Sequence, residues 1–144
     1  MTDCPFCKIL AGELPSSQVY QDQHCTVIMD IQPINPGHML VLPNEHITHL
    51  TELDPELTSH LFLTARKMAA GLMDSGIEAE GFNLWLADGK AAFQEVPHAH
   101  VHVIPRFGGD GFSFDFSPRY FELPTRDELE KNAYHIRGAL EKGG

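Results

Sequence analysis

The sequence predicts an α+β domain: an antiparallel sheet of about five strands with two main helices. Three features lead there. Short apolar runs rich in β-branched residues are bounded by turn residues, one long helical periodicity occupies mid-chain, and an amphipathic final segment opens on a capping box. At 144 residues and 42% hydrophobic content the chain suffices for one ordinary core and is short for two. A single domain over residues 1–144 is therefore expected.

The elements follow in order. "FCKILAGELP" offers one or two helical turns ended by Gly12 and Pro15, and "SQVYQDQ" is a short strand entering a turn. "CTVIMDI" and "HMLVLP" read as neighbouring strands, with the prolines and glycine of "QPINPGH" reversing the chain between them. At "LDPEL", Asp54 can cap a helix and Pro55 suits its first position. Leu57, Leu61, Met68 and Leu72 then recur on one face until Gly76, so this helix should lie over the sheet. "GFNLWLADG" and "VPHAHVHVIP" supply two more strands, joined by "GKAAFQE". Beyond the glycine-rich "FGGDGF", Thr125 and Glu128 form a T-x-x-E capping box for a final helix over about 126–141.

Composition narrows the function. The net charge of −10, from 10 Lys+Arg against 20 Asp+Glu, argues against a broad nucleic-acid or anionic-membrane surface. A small anionic ligand remains compatible, because a few backbone donors and histidines bind phosphate locally. The opening "MTDCPFCKIL" lacks a basic region followed by an apolar stretch, and no run approaches the roughly 18 apolar residues of a membrane span. A soluble, cytoplasmic protein is expected. Cys4, Cys7 and Cys25 do not make a disulfide framework for a chain of this size, which suits a reducing compartment.

The informative stretch is "HAHVHVIPR". Val101, Val103 and Ile104 suit a strand, expected to run over about 98–104 and to stop near Ile104 at Pro105. Alternation then puts His98, His100 and His102 on one face and Ala99, Val101 and Val103 on the other, toward the core. Alternate strand residues lie roughly 6.7 Å apart, so one strand does not easily bring all three imidazoles to one ion with bonds of about 2.1 Å. Two of them can converge on a metal, or one end can serve a metal while the other does different chemistry. Nucleophilic catalysis is the other option. A neutral imidazole attacks phosphorus while its neighbours bind or protonate the phosphate oxygens and leaving group, and His100 is the central residue of the three.

The run His98-Ala99-His100-Val101-His102-Val103-Ile104 resembles the signature of the histidine-triad (HIT) family, His-φ-His-φ-His-φ-φ with φ apolar. "CPFCKILAGELPSSQVYQD", "DIQPINPGHMLVLPNEHI" and "DGKAAFQEVPHAHVHVIPR" are similar to successive family blocks, over most of residues 4–106. The likeness is greatest to bacterial members near the nucleoside phosphoramidase branch. It implies a HIT-like fold, a homodimer, and cleavage of a nucleoside monophosphate such as AMP from a phosphoramidate or dinucleoside polyphosphate through a nucleotidyl-histidine. By position it implies His100 as nucleophile, His102 as a phosphate contact and Asp30 as the acid that binds the ribose hydroxyls. Gln94, Asn83 and Gly89 fall among the implied substrate contacts. Bacterial relatives bind structural zinc through four positions that match Cys4, Cys7, His46 and His98, which would hold His98 at the metal and leave His100 and His102 to the substrate. Other readings are a non-catalytic nucleotide-binding protein, or a metal-binding protein using the histidine face directly. Whether a divalent ion joins the substrate is left open.

The chain departs from the family pattern before the triad. Where the pattern is close to N-N-G-x-x-A-G-Q, this chain has Ala87-Asp88-Gly89-Lys90-Ala91-Ala92-Phe93-Gln94. Ala87 loses an amide contact for which Asn83 or Asp88 would have to compensate. Phe93 replaces a glycine beside the phosphate, so a glycine-only backbone conformation is expected to be absent and the ring to narrow the site or stack. Cys25 reads as a small buried residue and His49 as an exposed one.

Overall fold

The computed structural model describes residues 3–143. They fall into two compact units, one up to Phe112 and one from Ser113 onward. The first holds α1 (Pro5–Leu10), β1 (Gln18–Gln21), β2 (Cys25–Met29), β3 (Met39–Pro43), α2 (Pro55–Met73), β4 (Gly81–Trp85) and β5 (Val101–Arg106). Its five strands form one antiparallel sheet in the order β1-β2-β3-β5-β4. The α+β class and the five strands are as the sequence predicts.

Local chemistry starts and stops the helices. In α1, the Cys4 sulfur accepts from the Cys7 amide at 3.4 Å and Pro5 occupies the first turn. In α2, Asp54 accepts from the Leu57 amide at 2.7 Å, Pro55 follows, and Leu61, Ala65, Met68 and Leu72 are buried. These side chains pack with Val27, Met39, Val41, Val101 and Val103 on one sheet face. Gly37, between β2 and β3, has φ +94, and a Cβ there would stand 2.7 Å from Cδ1 of Leu72. Only glycine satisfies both the turn and the helix above it.

The other face is covered as well. Ile28, Leu40 and Leu42 are buried beneath Cys4 and Phe6 of the N-terminal segment. Both faces of β2 and β3 therefore face protein, which explains why these strands read as continuous apolar runs.

The triad strand differs from expectation at both ends. Its ladder begins at Val101, not His98, because the Ala99 amide donates to the carbonyl of Ile47 at 2.7 Å, whereas β3 pairs with residues 101–103. It also continues past Ile104 to Arg106. Pro105 is tolerated because its backbone edge faces the Asn35 side chain, which donates to the Pro105 carbonyl at 2.9 Å, so no ladder donor is missing.

In the second unit, α3 (Arg126–Gly143) opens on the expected reciprocal box: Thr125 Oγ1 accepts from the Glu128 amide at 3.1 Å, and Glu128 accepts from the Thr125 amide at 2.8 Å. Among the described residues, no helix is long and apolar enough to cross a membrane.

Candidate active site and metal centre

Four hydrogen bonds fix which nitrogen carries the proton on each triad imidazole. Nδ1 of His100 lies 2.8 Å from the backbone carbonyl of His98. A carbonyl only accepts, so Nδ1 holds the proton and Nε2 of His100 keeps a free lone pair. His98 is the reverse case: its Nε2 donates to the Pro43 carbonyl at 2.9 Å, leaving Nδ1 as the lone-pair nitrogen. For His102 the assignment runs through His38. The Ile34 amide donates to Nδ1 of His38 at 3.0 Å, so Nε2 of His38 carries the proton and faces Nδ1 of His102 at 2.9 Å. His102 accepts there and presents Nε2–H outward. A lone-pair nitrogen and a proton donor thus stand side by side, with ring centroids 4.8 Å apart.

Burial keeps these rings neutral. His98 is 0% and His100 6% exposed, so the imidazole face is no open surface. Burial pushes the pKa of His100 below its ordinary value, and burial followed by the neighbouring His100 and His38 pushes His102 down to about 3. Phe6 packs edge-on against His100 at 5.1 Å, and Trp85, opposite His102 in the β4–β5 register, packs on His102 at 5.9 Å. Sequence reasoning missed His38, Phe6 and Trp85. The available signal for His38 was "PGH" at the entry to β3, next to the triad strand.

The other candidate residues are distributed as follows. Asp30, at the end of β2, accepts from the Gln32 amide at 2.8 Å, and its second oxygen lies 3.4 Å from Nε2 of His38, at the His102 end of the triad. Asn83 pairs opposite Ile104 on the histidine side of β4, and its oxygen accepts from Arg106 at 2.7 Å. Gln94 accepts from the Gly89 amide at 2.7 Å and donates to the Thr48 carbonyl at 2.9 Å, so its amide braces the loop before the triad. Asp88 is drawn to Nδ1 of His49 at 3.0 Å and the Leu50 amide at 3.2 Å, away from the compensating role considered for it. Phe93 corrects an expectation: the left-handed conformation is kept, at φ 65 and ψ 35, in spite of the side chain. Its ring is 86% exposed and so does not fill the site.

A cluster of side chains that could hold a metal adjoins His100. Sγ of Cys4 and Cys7 and Nδ1 of His46 and His98 lie within 4.8 Å of one another. The gaps from His98 Nδ1 are 3.6 Å to Cys4 and 3.7 Å to Cys7, and Cys7 to His46 is 3.2 Å. Ligand atoms around a tetrahedral zinc stand about 3.3–3.8 Å apart, so the cluster is close to zinc dimensions. The outer hydrogen bonds agree. Nε2 of His98 is held by Pro43, and Nε2 of His46 faces the Thr48 hydroxyl at 3.5 Å, which itself donates to the Pro97 carbonyl at 3.2 Å. Both Nδ1 lone pairs consequently point at the sulfurs. Two thiols and two imidazoles with no open position suit zinc in a closed site.

Comparison with known proteins decides the family, since the HIT domain model matches residues 11–109. The chain belongs to the histidine-triad (HIT) family. "Protein hit" of Bacillus subtilis is 42% identical over 111 residues, 76% of each chain. A Zn-bound histidine triad family protein from Mycobacterium smegmatis superposes with a TM-score of 0.75 at 35% identity, covering 99% of each chain. The adenylylsulfatase HINT3 of Arabidopsis thaliana is 35% identical over 104 residues, 72% of this chain and 52% of that protein. The HIT fold read from the sequence is thus shown, in a family that includes a nucleotide hydrolase and a zinc-bound member.

Proposed function

We propose that this HIT protein is a nucleotide hydrolase or nucleotidyl transferase that releases a nucleoside monophosphate, with AMP the favoured product, from a phosphoramidate or a dinucleoside polyphosphate. The observation that carries this reading is the pairing of a lone-pair Nε2 on His100 with an Nε2–H on His102. In the first step Nε2 of His100 forms a bond to the α-phosphorus as the bond to the leaving amine or phosphate oxygen breaks. The Nδ1–H of His100, held by the His98 carbonyl, stabilises the positive charge that develops on the ring. Nε2–H of His102 donates to a phosphate oxygen or to the leaving group, and Asp30 accepts the ribose hydroxyls. Water then attacks phosphorus, the P–N bond breaks, and His100 and the monophosphate separate.

Cys4, Cys7, His46 and His98 would hold a structural zinc, and the Zn-bound relative and the cluster geometry support this. Bound there, zinc supplies folding energy and rigidity rather than a reactive position. The protein is further read as a cytoplasmic single-domain homodimer, as family resemblance implies.

The test is incubation of the purified protein with an adenosine phosphoramidate and a dinucleoside polyphosphate, following AMP for wild type and His100→Ala. AMP release that disappears in the variant is the expected result. Nucleotide affinity without turnover in wild type would replace this reading with a binding protein.

A further inference from the structure

On the α2 side of the sheet a second set of metal-binding side chains converges, apart from the HIT site and unused by its chemistry. We propose that Asp22, Cys25 and His60, with His24 as fourth donor, form a second site for a borderline-soft divalent cation of the zinc type. Asp22 lies in the turn between β1 and β2, Cys25 opens β2, and His60 is on α2. A carboxylate oxygen, a sulfur and an imidazole nitrogen from these residues lie within 4.8 Å of one another. Around a tetrahedral zinc such atoms stand about 3.3–3.8 Å apart. Seating the ion requires the contact between Asp22 Oδ2 and His60 Nε2, now 2.7 Å, to open by about half an ångström while the sulfur closes in.

The carboxylate is already aimed. Asp22 Oδ1 takes the amides of His24 at 2.8 Å and Cys25 at 2.9 Å, leaving Oδ2 to Tyr20 and His60. Burial alone would raise its pKa, but those amides and the His60 contact outweigh this and hold it well below the usual carboxylate range. The His24 ring packs edge-on against that of His60 at 5.1 Å, within reach of side-chain rotation to complete four ligands. A cavity of about 560 Å³ opens beside the rings, lined also by Glu45, Asp54 and Glu56 and by no lysine or arginine among the described residues. The entry route is negative, which favours a cation.

The charges balance. Binding moves the His60 proton from Nε2 to Nδ1, so that ring stays neutral, and releases one proton from the Cys25 thiol, which now donates to Thr64 Oγ1 at 3.5 Å. One carboxylate, one thiolate and two neutral imidazoles then neutralise the dication. Because the ligands join the β1–β2 turn to α2, the ion would clamp the two.

The test is cobalt titration of the full-length protein, following the thiolate-to-cobalt charge-transfer band, with zinc content measured in parallel. Wild type is compared with Cys25→Ala, which keeps a small apolar core residue, and with His60→Gln on the surface; circular dichroism checks that each is folded. One metal equivalent fewer in both folded variants than in wild type is expected. Equal stoichiometry in all three proteins overturns the proposal. Counting by difference keeps the outcome independent of the Cys4–Cys7 cluster and of any hydrolase activity.

Discussion

The backbone carbonyl of His98 accepts the Nδ1–H of His100 at 2.8 Å, while the ring of His98 turns Nδ1 toward the sulfurs of Cys4 and Cys7. One residue thereby connects the Cys/His cluster to His100. Removing metal with a chelator, or replacing Cys7 by Ser, should loosen that carbonyl and lower kcat for AMP release about 10–100-fold, with a smaller change in KM. Zinc content and kinetics measured on the same samples check this. Full activity in metal-free, folded protein would mean that the His98 carbonyl is held by the backbone alone.

His38 sets the tautomer of His102. Its Nε2–H is directed at His102 because the Ile34 amide already occupies Nδ1. In His38→Ala, His102 is free to take its proton on Nδ1 and lose the outward donor. A fall in kcat of about a hundredfold with little change in KM is expected, the low end of what a positioned proton donor contributes. An unchanged kcat would show that His102 needs no partner to present its proton.

Much of this site was legible as local pattern. The triad and Cys4-x-x-Cys7 declare themselves by spacing, and alternation correctly separates Val101 and Val103 from the imidazoles. What failed was long-range pairing. The ladder starts at Val101 because the Ala99 amide turns to Ile47, a contact across 52 residues that periodicity does not encode. His38 acquires its role from a partner 64 residues away. The triad face was expected to oppose the core, yet Phe6 and the cysteines bury it, a covering invisible until the N-terminal segment is folded back.

The pH response follows from burial. Protonation of His100 would consume the attacking lone pair, and burial lowers its folded pKa below the reference near 6.5. The acid limb of kcat/KM is therefore expected below pH ~6.5, with activity retained as pH falls through that value. Stability responds in the opposite sense. Unfolded His102 takes up its proton near pH 6.5 and the folded ring only near about 3. Between these values the unfolded state binds more protons, so folding stability should decline as pH drops through the window. Urea melts of wild type and His102→Asn at pH 7.5 and 5 isolate this contribution, and an equal decline in both proteins would count against it.

Phe93 tests whether a strained loop residue is kept at a cost to folding. It is the one non-glycine with positive φ among the described residues, and its ring, largely in solvent, gains little from burial. Left-handed backbone costs a non-glycine residue roughly 1–3 kcal/mol, whereas glycine adds roughly 0.5–1 kcal/mol of unfolded-state entropy. The first term exceeds the second, so Phe93→Gly should raise stability by about 0.5–1 kcal/mol in denaturant melts. Loss of stability on this substitution would mean that the ring makes a compensating contact. The same variant separates fold from specificity: Gln94 still braces Gly89 and Thr48, so the loop should keep its path. A change in preference between the phosphoramidate and the dinucleoside polyphosphate would then belong to the ring itself.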